Sequence, residues 1–503
     1  MTKNISIRMP LNRVEGDLEI HAELVDGTIA EAYSVGTMYR GFENLLTGRA
    51  PLDSLVITPR ICGICSTAHL KAAAKALDEL FHAVVPGNGK RVRNITLMTE
   101  QIQNDIRHSF LLFCPDLARP AYRNHPLFEE AVGRYQPLKG DASVGAIRES
   151  KKLLEIIALL GGQWPHSSFI VPGGVVSVPT ANEVNQCRSL LARFRLWYER
   201  RVLGCDLACW GQVDGPEALD KWLEEKEAHR NGEVGFFTRF SRKAGFSRIG
   251  AGRGRFVSFG GLDIPEGSDV TGLLQGTQFW PSGFVAEGGC QRFDPALIAE
   301  DIGFSHFSGY TGGRHPSEGA TQVDLETIGD EKRSWAKAPR YDGLPAETGP
   351  LAEMVVAEDP LFCGLLAEEG PSVFARQLAR MVRPAKILAA IDTWIQEIAT
   401  SGEQFYRGYH TVEYGEGAGL IEAHRGALGH WVAIENGKIA RYQIITPTTW
   451  NACPRDGAGR RGPMEEALIG TEVTDAAEPV ELEAVVRSFD PCLVCTVHFI
   501  DGL

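Results

Sequence analysis

Apolar positions at three- and four-residue spacing predict long helices over residues 67–85 and 90–113, with Pro86-Gly87-Asn88-Gly89 as the break between them. The same period predicts helices over 147–160, where Leu153, Leu154, Ile157 and Leu160 share a face, and over 181–210 and 372–400. Near the N-terminus the period drops to two. Leu18 to Leu24 alternates, Asp26-Gly27 supplies a turn and residues 28–35 return, which predicts a hairpin. A second hairpin is expected over 431–445 about Asn436-Gly437. Residues 231–350 are rich in glycine, proline and aromatics without a sustained period, so they read as an irregular excursion packed on the helices. The predicted class is α+β, mainly α: a long-helix bundle with small β-hairpin regions at both ends.

The chain has 503 residues, 44% hydrophobic and 23% charged, enough for a sizeable core. Net charge is −13 without a basic stripe, which argues against nucleic acid or an anionic membrane as partner. No apolar run of about 20 residues could span a bilayer, and Met1-Thr2-Lys3-Asn4-Ile5 opens no signal-peptide core, so a cytoplasmic location is expected. Eleven cysteines read as thiols rather than a disulfide framework. Cys114, Cys187, Cys205, Cys209, Cys290, Cys363 and Cys453 are expected as apolar filler. For Cys205 and Cys209, one helical turn apart with no histidine at ligand spacing, helix packing is the simpler reading.

The other four form two pairs at opposite ends, Cys62-Gly63-Ile64-Cys65 and Cys492-Leu493-Val494-Cys495. Thiols at i and i+3 lie on one side of a helical turn and can reach one metal. Asp490 before Pro491 predicts an N-cap and N1 proline, placing the second pair at a helix start. Paired cysteines alone favour structural zinc. Zinc ribbons, however, hold their pairs roughly 15 to 20 residues apart, and a closed inert site has little use for Arg60, His69, Asp490 and His498 nearby. A redox or catalytic metal fits better. Pairs that must meet from both ends also predict one intertwined domain over 1–503: an N-terminal β region (1–50), a helical core (51–230), the excursion (231–350), a helical stretch (351–410) and a C-terminal hairpin with the metal-binding end (411–503).

The two cysteine motifs together resemble the large, catalytic subunit of nickel-iron hydrogenases. Arg13-Val14-Glu15-Gly16, Tyr39-Arg40-Gly41-Phe42-Glu43, Ala338-Pro339-Arg340-Tyr341-Asp342-Gly343, Arg425-Gly426-Ala427-Leu428-Gly429-His430-Trp431 and Pro447-Thr448-Thr449-Trp450-Asn451 resemble family motifs in family order. The resemblance implies Cys62 and Cys492 as terminal nickel ligands, with Cys65 and Cys495 bridging to an iron that carries one carbon monoxide and two cyanides, installed by maturation proteins. Cys492 is then the base for heterolytic cleavage of H2, and Glu15 the first proton carrier. Arg425 lies over the open metal position as an electrostatic element, with Asp116 and Asp490 fixing it, and His424 stands where the family usually has proline. Thr448 hydrogen-bonds a cyanide, His69 a bridging sulfur, and Glu43 with His498 holds magnesium.

Since no further cluster-binding cysteine set is present, an iron-sulfur small subunit is the implied partner, in a higher oligomer of heterodimers that could reach a membrane through its partners. Five residues follow His498 where many members carry a longer, processed tail, so either an unprocessed variant or a short uncleaved tail is expected. Ile64 stands where many members have valine, a feature of hydrogen-sensing members. The expected activity is H2 oxidation. The alternatives are a hydrogen sensor with the same site, a metal-free electron-transfer scaffold and a structural zinc protein.

Overall fold

The computed structural model describes residues 4–326 and 332–496, Cys495 and Thr496 by backbone alone. The N-terminal alternation folds as predicted. Leu18–Val25 pairs antiparallel with Thr28–Gly36 about Asp26 and Gly27, whose φ of 49° and 85° suit a two-residue turn. Leu18, Ile20, Ala22 and Leu24 all face inward and are buried. Asn4–Pro10 pairs on the other edge of Leu18–Val25, a strand the sequence reading missed; the link between the two carries Glu15.

Both long helices form, as Ser66–Leu80 and Gly87–Arg107, the latter continuing into a wider π-type turn at His108–Phe113. Gly87–Arg107 is buried on nearly every side, and its polar groups are matched by ion pairs such as Arg91 with Glu397 (2.7 Å) and Asp105 with Arg383 (2.7 Å). Those partners come from Val373–Thr400, the helix expected over 372–400, whose N-cap Ser372 accepts from Ala375 N. The helix expected over 147–160 breaks at Leu154 into Asp141–Leu153 and Glu155–Gly161. The one expected over 181–210 ends earlier. Ala181–Trp197 passes through a π-type turn to Gly204, whose left-handed φ of 76° stops it, and Leu207–Trp210 is a separate short helix.

The excursion is more regular than its composition suggests. It holds Glu233–Ala244, a sheet built on Phe256–Asp263 and Gln278–Ala286, and a second in which Ile298–Asp301 pairs with Ala338–Tyr341. The C-terminal hairpin turns at Asn436-Gly437 and is joined by Gly415–Ala423 into a three-stranded sheet. This sheet lies directly on Ser66–Leu80. A Cβ at Gly417 or Gly419 would come within 2.3 Å of Ala76 O or 1.9 Å of Ala72 O, so glycine is required for that approach. One apolar core extends from Ile7 to Leu493. A smaller cluster joins Phe259, Phe284 and Tyr341 to Trp431 and Trp450.

Candidate metal centre

The first cysteine pair lies in the turn that ends at Ser66–Leu80, with Cys65 at its N-cap position. The second leaves Val480–Ser488 through Asp490, and Leu493–Thr496 begins just after Cys492. Cys65 and Cys492 thus each sit at or just before the start of a helix. The expected cap at Asp490 does not form. Its φ is 52°, and its buried carboxylate turns instead to Asn104 Nδ2 (2.7 Å) and Arg425 Nε (3.0 Å). A guanidinium and an amide in a dry interior outcompete an N–H group of the short helix.

Cys62 Sγ and Cys492 Sγ lie 3.6 Å apart, and with Cys65 Sγ all three are within 4.8 Å of one another and buried. The Cys495 side chain and His498 lie outside the described residues. Several contacts bring the two chain ends together. Arg40 Nη2 donates to Ile61 O and Val494 O, one carbonyl from each cysteine loop. Leu493 N donates to Glu15 O (2.6 Å), and Glu15 bridges backbone to backbone with Cys492. Gly16 makes that crossing possible: its φ is 80°, and a Cβ would stand 2.7 Å from Val494 N. Thr448 Oγ1 accepts from Cys492 N (2.9 Å), which leaves its own hydroxyl hydrogen to donate. Glu100 accepts from Thr67 N (2.9 Å) and Ala68 N (3.0 Å), capping from outside the helix that follows Cys65. Burial pushes Glu100 up to about 7 against the opposing hydrogen bonds from Trp164, Thr67 and Ala68.

Arg425 sits in the tight link between Gly415–Ala423 and Gly426–Glu435 and is buried above the sulfurs. Burial works against its charge, but Asp490, Cys492, Cys65 and Cys62 outweigh it and hold the guanidinium protonated. Its Nη1 donates to His424 Nε2 (2.6 Å), while Nη2 is buried without a hydrogen-bond partner among the described residues. Burial and the Arg425 charge keep His424 neutral, so it serves as acceptor. Asp490 is held well below the ordinary carboxyl range: burial opposes this, and Arg425, His108, Arg380 and the Asn104 amide overcome it.

A model of the family "Nickel-dependent hydrogenase" matches residues 40–118 and 238–498, which include both cysteine pairs. The chain belongs to this family. It is 33% identical to the periplasmic [NiFeSe] hydrogenase large subunit of Desulfomicrobium baculatum, over 97% of this chain and 94% of that one. It is 27% identical to the uptake hydrogenase large subunit of Rhodobacter capsulatus, over 97% and 94%. The Ni-Fe-Se hydrogenase of D. vulgaris Hildenborough superposes with a TM-score of 0.82 at 31% identity, covering 99% of this chain and 100% of that one. This hydrogenase chain has cysteine at all four motif positions. Membership sets aside the zinc and metal-free scaffold readings.

A nickel-iron centre fits what is present: soft sulfur donors in a dry pocket, a buried Arg425 Nη2 without a hydrogen-bond partner among the described residues, and a Thr448 hydroxyl hydrogen-bonded to the Cys492 backbone. Of the other hydrogenase residues named from sequence, His69 is buried and begins a relay in which its Nδ1 meets His430 Nε2 (3.0 Å) and His430 Nδ1 meets Tyr442 OH (2.8 Å). Burial lowers His69 to about 4, so both rings are neutral; with Tyr442 donating, His69 carries its hydrogen on Nε2. Glu15 pairs with Arg107. Asp116 is not brought to Arg425. It pairs instead with Arg13, Arg119 and Arg487, and Asn104 takes the place beside Asp490 that the sequence reading gave to Asp116.

Glu43 Oε1 accepts from Ile444 N (2.8 Å), and its Oε2 lies 3.3 Å from Lys337, which is 3.6 Å from the buried Glu300. Both Glu300 oxygens lack hydrogen-bond partners among the described residues. Arg40 was legible in the Tyr39–Glu43 motif but given no role. Asn104, Glu100 and Glu300 carried no signal, since a polar residue in a helix or strand usually faces solvent.

Proposed function

We propose that the chain is the large, catalytic subunit of a nickel-iron hydrogenase that cleaves H2 reversibly and heterolytically, working in the direction of H2 oxidation. The observation that carries this reading is the meeting of buried thiols from both chain ends beneath a protonated, partly unpaired Arg425. Cys62 and Cys492 would hold the nickel, and Cys65 and Cys495 would complete the thiolate set for the iron, whose carbon monoxide and cyanide ligands maturation proteins would supply. When bound, the centre supplies the electrophilic, redox-active position that polarises the H–H bond.

The protein's part is proton handling and charge. Cys492 Sγ receives the proton, and Glu15, joined to the same strand crossing, passes it on towards Arg107 and solvent. Arg425, fixed by Asp490, presents a positive field over the sulfurs and keeps its own proton. The Thr448 hydroxyl and His69 Nε2–H are the donors that would meet the bound centre. Asp116 is a positioning residue: it clamps Arg13 and Arg487 around the N-terminal crossing rather than holding Arg425.

Glu43, with Glu300 close by and His498, is proposed to bind magnesium, for which carboxylate oxygens are suitable. Electrons leave to an iron-sulfur small subunit, in an assembly of heterodimers. The whole chain is read as one intertwined domain, supported by the core shared between its ends. No helix among the described residues is long and apolar enough to cross a membrane. Cytoplasmic placement is our reading from the absence of a signal-peptide core in the sequence, although the D. baculatum relative is named periplasmic.

The test is H2-dependent reduction of an artificial electron acceptor by the complex with its partner, for wild type and Cys492→Ser. Turnover in the wild type, lost in the variant, is expected. Wild-type turnover too slow to sustain catalysis would favour the hydrogen-sensor reading instead.

A further inference from the structure

Cys205, Cys209 and His229 lie outside the hydrogenase machinery. Their Sγ and Nε2 atoms all fall within 4.8 Å of one another. Cys209 Sγ and His229 Nε2 are 3.8 Å apart, close to the ~3.6 Å that ~2.3 Å zinc–sulfur and ~2.0 Å zinc–nitrogen bonds give on one tetrahedral ion. Both thiols pack against the core as expected but do not share one helix, because the helix stops at Gly204. Gly204 lies so close to the next segment that a Cβ would stand 2.1 Å from Ala228 O and 3.1 Å from His229 Cα. That contact delivers a histidine from 20 residues further on, which no local spacing could reveal.

The surroundings are those of a ligand set. His229 is fully buried and its Nδ1 donates to Trp222 O (2.7 Å), which leaves the Nε2 lone pair directed at the thiols. Trp222 Nε1 donates to Cys205 Sγ (3.4 Å), and its ring stacks on His229 at 4.9 Å. Asp206 Oδ1 fixes the turn by accepting from Cys209 N (2.8 Å). Both cysteines are half-buried, so an ion has a way in.

We propose that Cys205, Cys209 and His229 form a second metal site that takes one divalent cation of the zinc class, with the fourth position left to water. The ion clamps residues 204–209 to the 222–229 segment and has no part in H2 cleavage.

The experiment is zinc titration of the chelator-washed, reduced complex with its partner, followed by desalting and metal analysis, for wild type, Trp222→Phe and the Cys205→Ser/Cys209→Ser double variant. Wild type should retain one more zinc per chain than the double variant, with nickel, iron and H2 turnover unchanged in both. Trp222→Phe should weaken zinc binding by roughly 10- to 100-fold. A second readout needs no variant: in wild type, zinc should protect Cys205 and Cys209 from alkylation, read by peptide mass spectrometry, and its X-ray absorption should fit two sulfurs and one imidazole. Equal zinc in wild type and double variant, alkylation indifferent to zinc, or a Cys205–Cys209 disulfide in the reduced complex would overturn the proposal.

Discussion

Arg425 is held by charges from below and beside it: the sulfurs, Asp490 and the neutral His424 acceptor. A lysine in its place keeps the charge but loses the planar fork that meets these partners together. For Arg425→Lys we expect H2 oxidation to fall about 100-fold, in the range for loss of one preorganised donor, with nickel and iron content unchanged. Full activity in a fully metallated variant would show that charge alone suffices. Gly16 poses a backbone problem instead. In Gly16→Ala the Cβ meets Val494 N and the residue must keep a left-handed φ, so the Glu15–Leu493 hydrogen bond should break and nickel retention drop, measurable as metal per chain. Wild-type metal content in that variant would mean the crossing is not needed to hold the second cysteine loop. At this scale local chemistry was legible: Cys62, Cys65 and Cys492 come together beside Arg425, and Thr448 bonds the Cys492 backbone. The Asp116 carboxylate pairs with Arg13 and Arg487, both distant in sequence, as well as with Arg119 one turn on, and nothing near residue 116 announces the two distant arginines.

Among the elements, Ser66–Leu80 has no capping side chain of its own, and Glu100 from Gly87–Arg107 serves from across the packing interface. That cap carries a pH signature. The buried carboxyl titrates at about 7 in the fold against an ordinary 4.5, so between these values the folded state holds a proton that the unfolded chain has lost. Stability therefore falls as pH rises through this window, by roughly 3 kcal/mol from this group. Glu100→Gln should lessen the fall in thermal midpoint between pH 5 and pH 8 by about a few degrees; parallel profiles for variant and wild type would contradict the raised value. The elements themselves were legible where the period was long and clean, as in both hairpins and in Gly87–Arg107 and Val373–Thr400. They were not where an apolar run continues through a break, as at Leu154 and at the π-type turn ending in Gly204. Among the described residues, 231–350 hid three sheets because their short strands pair across intervening loops.

Over the whole molecule, the fold is a device for closing a chain on itself. Arg40 ties the loop before Cys62 to the loop after Cys492, Arg383 joins Asp105 and Glu353 to the carbonyl of His424, and the N-terminal crossing passes beneath Cys492. Thiols from the two ends then share one buried pocket under one guanidinium. The central claim, that this pocket holds a working nickel-iron centre, is tested most directly by the infrared spectrum of the matured complex before and after exposure to H2. We predict sharp carbon monoxide and cyanide bands that shift with H2, and that the cyanide bands alone move in Thr448→Val. A fully matured complex without such bands, or with bands indifferent to H2, would contradict the account.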